Sequence, residues 1–279
     1  MNIGAHISIA KGLDKACSMT EEVGGNTFQF FTRNPRGGRA RTIGQGEMDK
    51  FKEKRHEKQI GPVLGHLPYT VNMAADKEDV YAFASEIVGK DLIRGEAMGA
   101  EYLVVHPGRN QDRRTGLEKI TLLLADKLVK HEGSIMLLLE TMVGKGSELG
   151  SIKDLGLIIE ALGQPENLGV CLDSCHLFAA GWDFTQAEVL SELKTTLDAA
   201  IGLKRVKAMH INDSLYPVNS GKDRHAKIGW GHMGMQGIEN IIRDSFFSTL
   251  PLILETPVDD YKEYGEEIAV LRHMLPESQ

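Results

Sequence analysis

Eight short apolar runs, separated by longer segments, constrain the fold of this chain more than any other feature. These strand-like runs are NIGAHIS (2–8), TFQFFT (27–32), GPVLGHL (61–67), EYLVVHP (101–107), SIMLLLET (134–141), LGVCLDS (168–174), VKAMHIND (206–213) and PLILETP (251–257). Amphipathic helical patterns occupy residues 79–99, 116–133, 151–163, 187–203 and 261–275. Strands that alternate with helices favour βαβ units and a parallel sheet. Eight such units predict an α/β fold, a (β/α)8 TIM barrel, with residues 1–279 as a single domain.

A doubly wound open sheet is the competing architecture for such a pattern. That fold binds dinucleotides through a G-x-G-x-x-G turn between its first strand and helix, and nothing in this chain resembles that turn. Residues 33–47, RNPRGGRARTIGQGE, are expected to form a long, basic, glycine-rich loop after the second strand. No repeat or low-complexity segment interrupts the pattern.

Charge and cysteine content limit the class of protein. The formal net charge of −7 disfavours a protein that holds nucleic acid by Lys and Arg alone, although bound divalent metals would add positive charge. Three cysteines are too few for a disulfide framework, and C-x-x-x-C without a second pair disfavours a structural zinc knuckle. No apolar stretch is long enough to span a membrane, and the N-terminus lacks a signal pattern. We therefore expect a cytoplasmic protein without a membrane partner.

Metal-ligating residue types recur at the carboxyl ends of the predicted strands. In a TIM barrel these ends converge on one mouth. A single His at a strand end is more often a hydrogen-bonded structural residue than a metal ligand. Ligand-type residues at the ends of six consecutive strands, however, favour a metal site. The set comprises His66, His106, Glu140, Asp173 with His176 a turn further on, His210 and Glu255, joined by Asp223 and His225 from the loop after strand 7.

The other histidines and the cysteines receive structural interpretations. His56, His131 and His273 lie in polar surroundings and are expected at the surface. His6 and His232 could line the site without acting as ligands. Cys171 and Cys175 are expected to be buried small hydrophobes, because ligation would require thiolates.

With these residues in place, the chain resembles the endonuclease IV family of apurinic/apyrimidinic (AP) endonucleases, which are zinc-dependent DNA-repair enzymes built on a TIM barrel. The resemblance extends over nearly the whole chain. Its most specific segments are GVCLDSCHLFAAGWD (169–183) and DRH (223–225), and GAHIS, MHINDS and PLILETP support it.

The resemblance implies three Zn²⁺ ions per chain. His66, His106 and Glu140 would hold the first, and Glu140, the proposed catalytic residue, would bridge to a second. The second would be completed by Asp173, His210 and Glu255, and the third would be held by His176, Asp223 and His225. The implied reaction is hydrolysis of the phosphodiester bond on the 5′ side of an abasic site in double-stranded DNA, leaving a 3′-hydroxyl and a 5′-deoxyribose phosphate. No obligate protein partner is implied.

Departures from the family pattern fall on the substrate side. The residue after Tyr69, often apolar in the family, is Thr70, and glycines at 37 and 38 replace an aromatic behind Arg36. Arg36, Tyr69 and Thr70 are therefore the candidate DNA-contacting residues. Where the family usually has the sequence Glu-Asn-Thr after strand 5, this chain has Glu140, Thr141 and Met142. Where the family usually has the Glu of a Gly-Glu-Gly segment, this chain has Trp230.

Two other functions compete with this interpretation. Sugar isomerases and epimerases of the xylose isomerase-like barrels also place carboxylates and histidines around divalent metals, but they use one or two ions and do not require His176, Asp223 and His225. A non-catalytic DNA- or metal-binding protein is the second rival. The metal content distinguishes a sugar isomerase or epimerase from an AP endonuclease. Incubation with an abasic duplex distinguishes a non-catalytic binding protein from an AP endonuclease.

Overall fold

The computed structural model describes residues 1–36 and 38–275 and contains the predicted barrel. Its parallel strands form a closed ring in which each pairs with its neighbours in sequence and the last pairs with the first. They are β1 (Ile3–His6), β2 (Thr27–Phe31), β3 (Val63–His66), β4 (Tyr102–Val105), β5 (Met136–Glu140), β6 (Leu168–Asp173), β7 (Val206–His210) and β8 (Leu252–Leu254). All eight coincide with predicted runs, and the TIM-barrel prediction is confirmed.

The barrel has an inner and an outer apolar layer, as the alternation of side chains along each strand requires. The inner cluster takes one buried side chain from each of β3 to β8, namely Leu64, Val104, Leu138, Cys171, Ala208 and Ile253. The outer layer packs the other faces of the strands against the helices. A filled interior fixes the ring, so side chains at the carboxyl ends of the strands are held at one mouth.

Helices surround the strands. They are α1 (Leu13–Glu22), α2 (Gln45–Glu57), α3 (Glu78–Ala97), α4 (Arg113–Lys130), α5 (Ile152–Ala161), α6 (Ser174–Ala180), α7 (Glu188–Ile201), α8 (Gly234–Arg243) and α9 (Tyr264–His273). The five predicted helical segments correspond to α3, α4, α5, α7 and α9. Within the described part of the chain, no helix is both long and apolar enough to cross a membrane.

One predicted loop is shorter than expected. The segment 33–47 ends at Gly44, and its last three residues begin α2. This helix buries only Met48 and Phe51 and is otherwise charged, so its sequence has almost no apolar stripe to indicate it. Gly37, in the same segment, lies outside the described residues, as do residues 276–279 of the predicted domain.

Two small antiparallel ribbons arrange the loops at the mouth. One pairs Gly108–Arg109 with Glu148–Leu149, and the other pairs Asp213–Ser214 with His225–Ala226. The buried Asp213 carboxylate accepts hydrogen bonds from the backbone N–H groups of Ser214, Gly229, Gly231, Met233 and Gly234. These bonds hold the loop after β7, which carries Asp223 and His225, in one conformation.

Candidate metal centre

The nine predicted ligand residues lie together at the mouth of the barrel. His66, Glu140, Asp173 and His210 are the last residues of β3, β5, β6 and β7. His106 and Glu255 directly follow β4 and β8, and His225 lies in a ribbon. The Asp173 side chain caps α6 by accepting a hydrogen bond from the backbone N–H of His176 at 2.8 Å, which places His176 one turn beyond the strand.

Glu140 occupies the middle of the cluster and is buried. Its Oε2 atom lies 3.2 Å from Nε2 of His66 and 3.1 Å from Nε2 of His106. Its Oε1 atom lies 3.3 Å from Nδ1 of His210 and 3.4 Å from Nδ1 of His176. The two carboxylate oxygens therefore face different histidines, which is the arrangement that a bridging ligand requires.

The ligand-type side chains divide into groups whose ligand atoms lie within 4.8 Å of one another. Three of these groups have the membership expected from the sequence. They are His66, His106 and Glu140; Glu140, Asp173, His210 and Glu255; and His176, Asp223 and His225.

Hydrogen bonds to carbonyl oxygens fix the orientation of three of the imidazoles. The Nδ1 atoms of His66, His176 and His225 donate to the carbonyl oxygens of Leu67 at 2.6 Å, Thr141 at 2.9 Å and Glu255 at 3.1 Å. A carbonyl oxygen can only accept, so the proton lies on Nδ1 and the Nε2 atom faces the carboxylates. Metal-ligating histidines are usually oriented by such a bond from the other nitrogen.

Two of these inward-facing nitrogens lack a hydrogen-bond partner although they are buried. They are Nε2 of His176 and Nε2 of His225. The first lies 3.2 Å from Oδ1 of Asp223 and the second 3.5 Å from the same oxygen, but neither contact has hydrogen-bond geometry. Buried polar atoms without partners are costly. A divalent cation between these atoms would satisfy them, and imidazole with carboxylate is a donor set that fits such an ion.

The charged groups of the site stabilise one another. Burial raises the pKa of Glu140, but the neighbouring charges of His106 and His210 outweigh it and hold the pKa well below its usual range. Burial likewise raises the pKa of Asp223, yet its contact with His176 lowers the pKa to about 2. Glu140 and Asp223 are thus ionised at neutral pH.

A fourth group brings Cys175 near Asp173 and His225. Burial, with the nearby charge of Asp173, raises the pKa of the Cys175 thiol far above its usual range. The thiol therefore stays protonated and is a poor ligand. Cys171 and Cys175 are both buried, which confirms their interpretation as small core side chains.

The cluster opens into a cavity of about 340 Å³. Its walls include His6, Phe31, Tyr69 and Tyr264 besides the ligand-type residues. A second cavity of about 510 Å³ shares His6 and Phe31 with the first and is lined by Arg33, Arg39, Arg41 and Arg94. The mouth therefore combines a carboxylate–imidazole cluster with an adjoining cationic surface.

The candidate DNA-contacting residues lie at the surface beside this cavity. Tyr69 is 59% exposed, and its ring packs edge-on against Phe31 with a centroid distance of 4.9 Å. Arg36 and Thr70 are also exposed. A Cβ atom at Gly38 would lie only 3.1 Å from the Phe83 ring, so this backbone leaves little room for a side chain there.

Some residues differ from the sequence-based expectation. His131 is not a surface residue, because its side chain is 6% exposed and its Nε2 atom lies 3.5 Å from Oε2 of Glu96 in α3. The same Glu96 carboxylate accepts from the backbone of Ser134 and Ile135, which draws the segment after α4 over the imidazole. His6 lines the site as expected, whereas His232 is exposed and is absent from the cavity wall.

Three polar residues of the site were missed from the sequence. Gln29 is buried beneath the cluster, Thr141 accepts from both Asp173 and His176, and Asn212 donates to Oδ2 of Asp173 at 2.8 Å. The signal for Gln29 was present, since it interrupts the otherwise apolar run TFQFF.

The architecture and site define a class of protein. Residues 17–274 match the family described as xylose isomerase-like TIM barrel, and the chain belongs to that family. Within it, this chain is a member of the endonuclease IV group. It is 49% identical over 276 residues to the probable endonuclease 4 of Moorella thermoacetica, a match that covers 98% of this chain and 99% of that protein. The probable endonuclease 4 of Heliobacterium modesticaldum is 43% identical, with 99% of each chain covered.

Solved structures agree with this assignment. The crystal structure of endonuclease IV from Thermus thermophilus superposes with a TM-score of 0.86 at 31% identity and covers 98% of each chain. A D-tagatose 3-epimerase-like protein superposes with a TM-score of 0.66 at 17% identity, which shows a shared fold alone. The matches therefore favour the endonuclease interpretation over the epimerase alternative.

Proposed function

We propose that this protein is a zinc-dependent AP endonuclease of base excision repair. It would hydrolyse the phosphodiester bond 5′ to an abasic site in double-stranded DNA and leave a 3′-hydroxyl and a 5′-deoxyribose phosphate. Full-length similarity to proteins named endonuclease 4 supports a nuclease. The observation that carries the proposal is the position of Glu140, whose Oε2 faces His66 and His106 at 3.1–3.2 Å and whose Oε1 faces His210 at 3.3 Å.

Three zinc ions are proposed, one for each group of ligand atoms. His66 and His106 would hold the first with Glu140, which would also serve the second with Asp173, His210 and Glu255. His176, Asp223 and His225 would hold the third. Imidazole and carboxylate donors suit zinc, and no thiolate is required. The unpartnered Nε2 atoms of His176 and His225 support the third site in particular.

When bound, the ions supply a lowered water pKa and electrostatic stabilisation of the phosphoryl oxygens and the leaving oxygen. The protein's own residues hold the site rigid. The carbonyl oxygens of Leu67, Thr141 and Glu255 orient three imidazoles, and the buried Glu140 keeps both of its oxygens directed into the cluster. No side-chain nucleophile is needed.

The cavity would receive a flipped-out nucleotide in the proposed reaction. An enzyme that acts inside a duplex must unstack the target, and aromatic side chains can fill the gap. Tyr69 and Arg36 are exposed. In the neighbouring cavity, Arg39 and Arg94 offer positive charge to a phosphate backbone, because the other two lining arginines are paired with carboxylates. Because Thr70 is small, Tyr69 is the main candidate for a side chain that inserts into the duplex.

A synthetic duplex with one abasic site tests the proposal. We expect the purified protein to cut the abasic strand once, on the 5′ side of the lesion, and to leave the matched intact duplex uncut. The 3′-hydroxyl product should prime a DNA polymerase directly. An uncut abasic duplex would contradict the proposal, and interconversion of free ketoses by the same preparation would favour the epimerase alternative.

A further inference from the structure

Gln29 is a polar side chain in an unusual position. It is the central residue of β2, is fully buried, and lies between the candidate ligands His210 and Glu255. A buried amide without hydrogen bonds would cost free energy, so the partners of this side chain matter.

The chemistry of those partners fixes the orientation of the amide. Its Nε2 atom lies 2.6 Å from Oε1 of Glu255, and a carboxylate oxygen can only accept, so the NH₂ group must face Glu255. The carbonyl Oε1 then faces Nε2 of His210 at 2.9 Å and must accept a proton from it. The second amide hydrogen faces Nδ1 of His6 at 3.1 Å.

This orientation determines which nitrogen of His210 faces the cluster. With the proton on Nε2, the Nδ1 atom faces Oε1 of Glu140 at 3.3 Å and Oε2 of Glu255 at 3.1 Å. His210 is thus oriented through its other nitrogen, as His66, His176 and His225 are, but by a side-chain amide instead of a backbone carbonyl.

We infer that Gln29 is the positioning residue of the second metal site. Its carbonyl oxygen holds His210 in the tautomer that directs Nδ1 at the ion, and its NH₂ group holds one oxygen of Glu255 so that the other faces the same ion. The inference rests on the proposed function, because it assumes that Glu140, Asp173, His210 and Glu255 bind zinc. Loss of a partner of this kind weakens metal binding by about 10–100-fold.

Two substitutions separate this role from simple core packing. Gln29→Met keeps the length and volume of the side chain but removes the hydrogen bonds to His210 and Glu255, with the contact to His6. Gln29→Glu keeps an oxygen that accepts from His210 but places a second oxygen against Glu255, where repulsion replaces a hydrogen bond. Gln236→Met, on the exposed face of α8, is the matched control.

The experiment measures zinc bound per chain by dialysis against zinc-buffered solutions, and the tautomer of His210 by ¹⁵N NMR of the histidine rings. We expect wild type and Gln236→Met to hold three ions. Both Gln29 variants should need about 10–100-fold higher free zinc than the wild type to keep one of the three sites filled. Only Gln29→Met should lose the Nε2-protonated tautomer of His210. Circular dichroism checks the fold, and if Gln29→Met is unfolded, the zinc affinity of Gln29→Glu decides.

The outcomes distinguish the two proposals. Three ions in the wild type and unchanged zinc affinity in both folded variants would overturn the role of Gln29 and leave the proposed function intact. A wild-type protein that holds one ion or none would overturn the proposed function and, with it, the inference.

Discussion

Glu140 is the residue on which the account of the site most depends. Glu140→Gln keeps the shape of the side chain but removes the charge that two cations would share. We expect cleavage of an abasic duplex to fall by several orders of magnitude, because charge stabilisation by the metals would be lost. Initial rates on the synthetic duplex measure the effect.

The control for this variant follows from the burial of the histidines. His131 is unsuitable because its side chain is packed against Glu96, whereas His56 is exposed on α2. His56→Ala should retain the wild-type rate. Equal activity of Glu140→Gln and His56→Ala would show that the site is assigned wrongly.

Tyr69 tests the mode of DNA binding. An aromatic side chain that stacks on a base contributes about 1–3 kcal/mol, or about 5- to 150-fold in affinity. Tyr69→Ala should therefore weaken cleavage of the abasic duplex about tenfold or more without changing metal content. Thr70→Leu, which restores an apolar wedge, should improve duplex binding. Kinetics on matched abasic and intact duplexes measure both substitutions. If neither substitution affected the abasic duplex selectively, the insertion role of Tyr69 would be refuted.

At the scale of single residues, sequence patterns were informative at strand ends and weak elsewhere. Glu140 and His210 could be identified because an ionisable residue that ends an apolar barrel strand must face the mouth. Gln29 is visible in the sequence as a polar residue within a strand, but period-two alternation does not reveal what such an amide will contact. The burial of His131 depends on Glu96, which the fold brings from another helix.

Among the elements, α3 anchors the loop after β2 through a buried ion pair. Asp91 in α3 accepts hydrogen bonds from Nε of Arg33 at 2.8 Å and from Oγ1 of Thr32 at 2.6 Å. Removing one partner of such a pair leaves a buried charge unpaired, so Asp91→Ala should lower the free energy of unfolding by about 3–5 kcal/mol. Urea unfolding of the zinc-loaded protein measures this change.

The same helix offers a control for Asp91. Glu86 pairs with Lys90 on the exposed face of α3, and exposed pairs contribute little. Glu86→Ala should leave the free energy of unfolding close to the wild-type value. Similar effects for the two variants would contradict the anchoring role of the Arg33–Asp91 pair.

The strands and the long helices were predictable because their apolar periodicity extends over enough residues. The short elements at the mouth were not. α6 begins at Ser174 directly after β6, so its helical signal merges with the strand, and the two-residue ribbons have no period to detect. These short elements position His176 and His225, which is why the geometry of the third ligand group required the structure.

For the whole molecule, the central question is how a protein of net charge −7 would hold a polyanion. Four arginines, Arg33, Arg39, Arg41 and Arg94, line the cavity beside the site. Asp91 pairs with Arg33 and Glu47 pairs with Arg41, so the positive charge there comes mainly from Arg39 and Arg94. Three divalent ions against the four carboxylates Glu140, Asp173, Asp223 and Glu255 would leave a net charge of about +2 at the mouth, which would attract a phosphate diester. The cytoplasmic location stays a prediction.

The metal content of the purified protein tests the account most directly. Elemental analysis of protein prepared without chelator should return three divalent ions per chain, mostly zinc, because three groups of imidazole and carboxylate ligands lie at one mouth. One or two ions would fit the sugar-epimerase alternative. One ion or fewer would contradict the three-metal centre on which the proposed hydrolysis depends.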